Sequence, residues 1–364
     1  MTIKKWSLAA CSILPLSGVG STALAQSSVT LYGLIDSGIT VLDNVGGGRQ
    51  IREAGGVYSP NRWGVRGSED LGGGTKALFR LEGGFNSSNG SLQKAGVLFN
   101  RYSTVGLEQA NVGTINIGVQ PDFMIRMLPV TGLVGPIYAY HPGDYDRVAG
   151  EYLSNTVSYE SPRIGGVHAG VLYSFGDATA PATNTGRTYS GMVDYVSGPI
   201  TAIAVTTSLR GVSINPGAIG LSRAFNRALA PTVATGILAD SLTTSGVGLS
   251  YKFGDWRVQG AYTSTTIKAF AAQEKLRTGD LALFYQWSAP LTLAGNYTRS
   301  SGLGGKWQDL QLLATYAFSK RTSVYAGTVF QHVSGDGQKA ALLFQGVSST
   351  SSQAAYRIGL TTTF

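Results

Sequence analysis

The chain has 364 residues, a formal net charge of +8, only 13% charged residues, 50 glycines and 18 tyrosines. This is too little charge for the surface of a soluble protein of this size. Beyond the N-terminus, no stretch offers the roughly 18 uninterrupted apolar residues that a membrane helix needs. The composition therefore disfavours both an ordinary soluble protein and a helical membrane protein.

The first 25 residues are typical of a secretory signal peptide. Lys4-Lys5 gives a positively charged start, residues 6–19 are mostly apolar, and Ala23-Leu24-Ala25 is a small-residue cleavage site. A transmembrane anchor is disfavoured because the apolar run is too short. We therefore expect residues 1–25 to be removed and residues 26–364 to form the mature domain.

Cys11 is the only cysteine of the chain and lies inside this predicted signal peptide. Residues 8–11 resemble a lipoprotein cleavage box, but the apolar stretch before them is too short for one. The mature chain would then have no disulfide and no thiolate metal site. We predict neither a metal ion nor a cofactor.

A hairpin over residues 61–85 carries the clearest pattern, because apolar and charged side chains alternate with a period of two on both sides of a glycine-rich turn. A soluble sheet would bury the apolar face, but the alternation recurs along the chain and no helices are expected to cover it. We therefore predict that the apolar face meets lipid and the charged face a water-filled interior. The apolar face carries Trp63, Val65, Ala77, Phe79, Leu81 and Phe85, and the charged face Arg62, Arg66, Lys76, Arg80 and Glu82.

We predict sixteen strands, joined alternately by short turns and by longer polar or glycine-rich connections. This alternation is typical of an antiparallel up-and-down sheet. A sheet in lipid must close, because an open edge would leave backbone groups unpaired. The predicted fold is an all-β, 16-stranded antiparallel transmembrane β-barrel. Its strands are residues 29–41, the two strands of the 61–85 hairpin, 99–107, 114–119, 153–160, 167–175, 189–195, 200–208, 245–253, 256–264, 280–287, 291–299, 310–318, 323–333 and 355–364.

Several segments resemble, in the same order, the general diffusion porins of Gram-negative outer membranes. They are VTLYG at 29–33, RWGVRGSEDLG at 62–72, NRYSTVGL at 100–107, GTINIG at 113–118 and YESP at 159–162. The resemblance spans residues 28–364. It implies a homotrimeric 16-stranded barrel, passive diffusion of small hydrophilic solutes and ions, and a third external loop that folds into the pore.

The resemblance also implies partners. These are outer-membrane lipid, lipopolysaccharide and the assembly machinery, which would read the C-terminal strand ending in Phe364 as its signal. Nucleic acid is not an expected partner despite the positive charge, because an exported barrel never meets it.

The predicted pore-lining residues follow from strand faces and from the family pattern. Residues 120–152 stand at the family's constriction-loop position, and a connection of this length points to function. Such loops usually carry carboxylates opposite a ladder of wall arginines, but residues 129–136 carry none. A basic wall would enrich anions in a narrow pore, so we hypothesise an anion-preferring channel. The candidates are Arg62, Arg66, Arg80 and Arg101 on the wall, Glu82 as their counter-charge, and Asp122 and Arg126 in the loop.

Two departures from the family shorten the arginine ladder. Val119 and Leu34 stand where family members have basic residues, which weakens the expected selectivity. For each wall arginine the alternative is a structural role, bonded to Glu82 or to loop carbonyls.

Two other functions were weighed. A substrate-specific channel stays open because Tyr138 and Tyr140 in the loop could stack on a solute. A barrel enzyme is disfavoured, because His141, His168 and His332 stand outside any recognisable catalytic signature.

Overall fold

The structure is a computed structural model that describes residues 27–132, 135–137, 141–176, 185–229, 236–335 and 338–364. The predicted signal peptide, Tyr138 and Tyr140 lie outside the described residues. Within these ranges, no helix is both long and apolar enough to cross a membrane. The helices are short 3-10 turns at Phe123–Val130, Pro142–Asp144 and Pro216–Ile219.

Almost all regular structure is β-strand. The strands are β1 (Ser28–Val45), β2 (Gly48–Gly55), β3 (Arg62–Gly72), β4 (Thr75–Gly84), β5 (Tyr102–Gln109), β6 (Gly113–Pro121), β7 (Tyr152–Glu160), β8 (Val167–Phe175), β9 (Arg187–Ser197), β10 (Ile200–Ile214), β11 (Arg223–Ala224), β12 (Arg227–Ala228), β13 (Ile237–Phe253), β14 (Trp256–Ala269), β15 (Ala272–Gln286), β16 (Leu291–Gly302), β17 (Gly305–Ala317), β18 (Thr322–Ser334), β19 (Ala341–Leu342), β20 (Gly346–Val347) and β21 (Ser352–Thr363). The two-residue strands form small hairpins outside the main sheet.

The main sheet closes into a barrel because β1 pairs with β21 as well as with its sequence neighbours. β1 also pairs with β3 through residues 28–34 and with β2 through residues 37–45, while residues 56–61 leave the sheet between them. β2 and β3 therefore share one barrel position. The 17 hydrogen-bonded strands make the sixteen antiparallel positions that the sequence predicts, which confirms the predicted fold.

The two faces of the barrel follow the predicted alternation. On β13, Val247, Leu249 and Tyr251 are 45–55% exposed, whereas Gly248 and Ser250 between them point inward and are buried. Large apolar side chains on the outside of a closed sheet fit a hydrocarbon environment. The register also puts Trp63 outward, beside Gly33, and the two charges Arg80 and Glu82 inward, as predicted.

Several predicted boundaries are wrong. The sequence predicts a connection over residues 43–56, but β2 lies there, because Gly46 and Gly47 take positive φ values of 62° and 101° and form a two-residue hairpin turn. The fourth predicted strand begins at Tyr102 and not at residue 99. Several strands are also longer at their external ends than predicted, since the hydrogen-bonded ladders of β10, β13 and β15 extend several residues beyond the apolar alternation.

Candidate functional site

A row of inward residues crosses four neighbouring strands of the barrel wall. The register aligns Tyr32 on β1 with Gly64 on β3, and Gly64 with Glu82 on β4. A Cβ atom at Gly64 would lie 2.8 Å from the Tyr32 hydroxyl oxygen. Because Gly64 has no side chain, Tyr32 reaches across β3, and its hydroxyl donates a 2.8 Å hydrogen bond to Oε2 of Glu82.

Glu82 is the shared counter-charge of two arginines. Nη2 of Arg80 and Nε of Arg101 each lie 2.6 Å from one of its carboxylate oxygens. Only 1% of the Glu82 side chain is exposed, so these charged donors replace the water that an ionised carboxylate would otherwise require. Nε of Arg80 also donates to the Tyr32 hydroxyl at 2.8 Å.

Tyrosine rings fix the planes of the guanidinium groups. The guanidinium carbon of Arg80 lies 3.5 Å from the ring centre of Tyr102, and that of Arg101 lies 4.8 Å from the ring centre of Tyr152. The two rings meet edge to face at 5.8 Å. Stacking on an aromatic face holds each cation at a defined position on the wall.

The other two wall arginines, Arg62 and Arg66, are less neutralised by nearby carboxylates. Nη1 of Arg62 donates to the carbonyl of Pro60 at 3.1 Å, and Arg66 stands 5.4 Å from the ring centre of Tyr32. Within the described ranges, neither forms an ion pair. Arg101 faces inward although strict alternation would send it outward with Val105, because it precedes the first residue of β5.

A cavity of about 800 Å³ lies between this wall and residues 121–129. Arg66, Arg80 and Tyr102 line it from the wall. Arg126 lines it from the opposite side, where its Nη2 binds both carboxylate oxygens of Glu160 at 2.7 and 3.0 Å. The cavity therefore brings three of the predicted arginines together.

Asp122 borders the same cavity, with its carboxylate buried. Its side chain has no exposed surface, and Oδ2 accepts a 2.9 Å hydrogen bond from Nε of Arg147. Nη1 of Arg147 also reaches Glu151 at 3.2 Å. Burial raises the pKa of Asp122 despite the neighbouring guanidinium. Asp122 thus ties the two ends of the 122–151 segment together, and its role in the pore stays a prediction.

Glycines on the inner wall accept the apolar side of the 3-10 helix Phe123–Val130. A Cβ atom at Gly246 or Gly248 would come within 3.0 Å of Met127 or Val130, and one at Gly170 within 3.0 Å of Phe123. Three bare positions on β8 and β13 therefore let the helix pack against the wall. Gly246 and Gly248 alternate with Val247 and Leu249 in the sequence, but this alternation does not predict which side chains pack on the glycines.

Polar contacts continue the attachment across β14, β15 and β17. The backbone N–H of Gly132 donates to Asp280, the side chain of Gln259 donates to the carbonyl of Thr131, and the N–H of Gly135 donates to Gln311 at 2.7 Å. Each barrel residue in these pairs faces inward.

His141 links the segment to the wall through two carboxylates. Its Nδ1 contacts Asp146, and its Nε2 lies 3.2 Å from Oδ2 of Asp280 on β15. Asp146 in turn accepts a 2.7 Å hydrogen bond from Thr263 on β14. Burial alone would lower the pKa of His141, but Asp146 and Asp280 outweigh it and raise the pKa to about 10. Burial would raise the pKa of Asp146, yet His141 holds it below its usual range.

A second inward cluster was missed by sequence reasoning. Asp36 on β1 accepts hydrogen bonds from the N–H groups of Val57 and Tyr58 and from the Tyr325 hydroxyl, and it lies 3.3 Å from Nη2 of Arg357 on β21. These contacts hold residues 56–61 and join the first and last strands. The alternation along each strand predicts that Asp36 and Arg357 face inward. It does not predict that they are in contact, because that contact forms only when the barrel closes.

A closed antiparallel barrel with an apolar exterior and a charged interior defines an outer-membrane channel. The chain belongs to the Gram-negative porin family, whose model matches residues 9–337. The protein is therefore a porin of the outer membrane.

Individual relatives agree with this assignment. An outer membrane porin protein of Bordetella pertussis is 30% identical over 85% of this chain and 90% of its own length. Outer membrane porin protein 32 of Delftia acidovorans is 30% identical over 98% of this chain and 99% of its own length.

Two solved structures share the fold. The anion-selective porin from Comamonas acidovorans has a TM-score of 0.76 at 24% identity, covering 93% of this chain and 100% of that one. OmpT of Vibrio cholerae has a TM-score of 0.67 at 14% identity, covering 93% and 98%.

Proposed function

We propose that this porin is an anion-preferring channel for the passive diffusion of small hydrophilic solutes and ions. The observation that carries the proposal is the wall of four arginines, Arg62, Arg66, Arg80 and Arg101, with Glu82 as its counter-charge beside the cavity. Wall charges act over about 8 Å at physiological salt, which is on the order of a narrow pore's radius. The structurally similar porin from Comamonas acidovorans is anion-selective, which supports the same direction.

Conductance in a planar lipid bilayer tests the channel itself. Purified protein should produce discrete current steps that grow in proportion to the bulk conductivity of the salt. Heat-unfolded protein is the control. The proposal would be overturned by folded protein that inserts into the bilayer without producing current steps.

We further propose that residues 120–152 form the constriction loop. The packing of Met127 and Val130 on inner-wall glycines supports it, as does the link from His141 to Asp280. Gly248→Val should displace the loop and change the single-channel conductance. Gly295→Val is the matched control, because a Cβ atom at Gly295 would meet only ordinary contacts. Equal conductance in both variants would contradict the role.

Further proposals follow from the family. Residues 1–25 are a signal peptide removed at export. The mature chain forms a homotrimer, a proposal supported by the trimer form of OmpT of Vibrio cholerae. Phe364 is the assembly signal; its backbone N–H and C=O pair with Gly33 at 3.2 and 3.1 Å. Lipopolysaccharide contacts the outer surface. Three equal current steps per insertion would support the trimer, and single steps throughout would contradict it.

A solute-specific channel is the second candidate, and the paired Arg–Tyr stacks at Tyr102 and Tyr152 favour it. A planar anion could displace water between such stacks. Saturable block of chloride current by benzoate, absent in Tyr102→Ala, would support this candidate. Linear, non-saturating behaviour would exclude it.

A further inference from the structure

Four exposed cations form a patch on the outside of the barrel, at the ends of β15, β16 and β17 that adjoin the two-residue turns at 270–271 and 303–304. They are Lys275, Arg277, Arg299 and Lys306, named here the basic belt. In the ladder, Gly279 pairs with Arg299, and Ser301 pairs with both Arg277 and Lys306. Diagonal neighbours on adjacent strands stand about 7–8 Å apart, so the four charges are crowded.

The belt faces lipid and not the lumen. Along β15, every second residue from Arg277 leads to Leu281 and Leu283, which are among the exposed apolar residues of the outer surface. The same parity leads from Arg299 to Tyr297 and from Lys306 to Leu310. The cations therefore continue the lipid-facing columns upward.

The height of the belt matches the upper edge of the membrane. Trp287 lies at the opposite end of the Arg277 column, beside a short turn, where it packs edge to face on Tyr285. Ten residues at about 3.3 Å each, tilted by about 40°, span about 25 Å, which is the height of a barrel's apolar band. One end of the column thus has aromatic residues, and the other end has cations.

Among the described residues, no carboxylate neutralises the belt. In the part of the chain that the structure describes, none of the four side chains forms an ion pair, whereas Arg126 and Arg163 on the same barrel are paired with Glu160 and Asp194. Like charges at this spacing repel one another, so the arrangement favours a multivalent anion at the membrane surface.

We propose that the basic belt binds the phosphate groups of the phosphorylated glycolipid in the outer leaflet, an inference that rests on the proposed function and its outer-membrane orientation. Arginine can bind phosphate oxygens in a bidentate manner, and the nearby lysines add charge. The acyl chains would lie along Leu281, Leu283 and Leu310, directly below. This apolar continuation favours a lipid phosphate over a free one.

The test compares Arg277→Gln/Arg299→Gln with the control Lys320→Gln/Arg321→Gln, which removes two exposed charges at the short-turn end. Native mass spectrometry of the folded protein in detergent would measure retention of bisphosphorylated lipid A and of dephosphorylated lipid A. The belt variant should bind bisphosphorylated lipid A at least about tenfold more weakly than the wild type. The control should bind like the wild type.

Three outcomes would overturn the proposal. The belt variant could bind bisphosphorylated lipid A as strongly as the wild type, or the control variant could lose as much binding as the belt variant. The third is a wild type that retains bisphosphorylated and dephosphorylated lipid A equally. Displacement of lipid A by inorganic phosphate at millimolar concentration would also overturn it, since the site would then select a free anion. Conductance of the same preparations separates the two proposals. If the wild type conducts but its lipid A binding does not depend on the phosphates, only the proposed lipid site is overturned. If the wild type does not conduct, the proposed channel function is overturned.

Discussion

Nε2 of His141 lies 3.2 Å from Oδ2 of Asp280, so the 122–151 segment is joined to the inner face of β15 by a fully buried contact. His141→Gln should loosen this attachment, because removing one member of a buried charged group costs about 3–5 kcal/mol. More frequent brief closures in single-channel recordings and faster proteolysis within residues 141–151 would show the effect. His332→Gln is the control, since His332 is exposed and bonds only Ser352 among the described residues. Identical recordings for both variants would contradict the role of His141.

The same contact predicts a pH dependence with two limits. The folded-state pKa of His141 is raised to about 10 from 6.5, so its stabilisation is present below about pH 6.5 and is lost as the pH rises through about 10. The pKa of Asp146 is lowered, so its stabilisation is present above its unfolded value near 3.8 and is lost as the pH falls below it. Channel closures should therefore increase as the pH rises from about 6.5 to about 10 in the wild type. His141→Gln should show no such step, and a step of equal size in the variant would assign it to other groups.

Glu82→Gln should increase anion preference. The substitution removes the shared counter-charge of Arg80 and Arg101 and keeps the side-chain volume. One unit charge acting over about 8 Å in water changes the anion-to-cation permeability ratio by up to about twofold. Glu69→Gln is the control, because Glu69 is exposed beside a short turn. A lower ratio in Glu82→Gln would mean that the wall arginines do not set the selectivity.

Trp63→Arg should impair insertion into lipid. Trp63 pairs with Gly33 on the outward face, where an arginine near the bilayer midplane costs up to about 2–4 kcal/mol. The folded fraction in liposomes, read from heat-modifiable gel mobility, should fall relative to the wild type. Trp63→Phe should fold like the wild type. A normal yield for Trp63→Arg would mean that this face does not meet lipid.

Much of the barrel could be predicted from the sequence, because a period of two is local and survives in each strand. The outward position of Trp63 and the inward position of Arg80 and Glu82 follow from it. The two glycines at Gly46-Gly47 are also a hairpin signal in the sequence. The strands that flank them are polar, however, and show no clear alternation of apolar residues. The external ends of the strands are polar and lack the alternating apolar residues. The sequence therefore does not show where their hydrogen-bonded ladders end.

The site was harder to predict, because its contacts join residues distant in sequence. Asp122 is near Arg147 only after the segment folds back, and Asp36 meets Arg357 only when the barrel closes. The periodicity of a strand does not predict contacts between residues that are distant in sequence. Strand face and the family pattern both predict Arg101 in the pore wall, and its contact with Glu82 depends on its position just before β5, which begins at Tyr102.

The reversal potential across a potassium chloride gradient tests the central claim most directly. With the protein in a planar bilayer at low salt, the account predicts a potential whose sign reports chloride moving more readily than potassium, and a smaller potential for Arg66→Gln/Arg80→Gln. A potential of the opposite sign in the wild type would contradict an interior whose ion preference is set by its wall arginines.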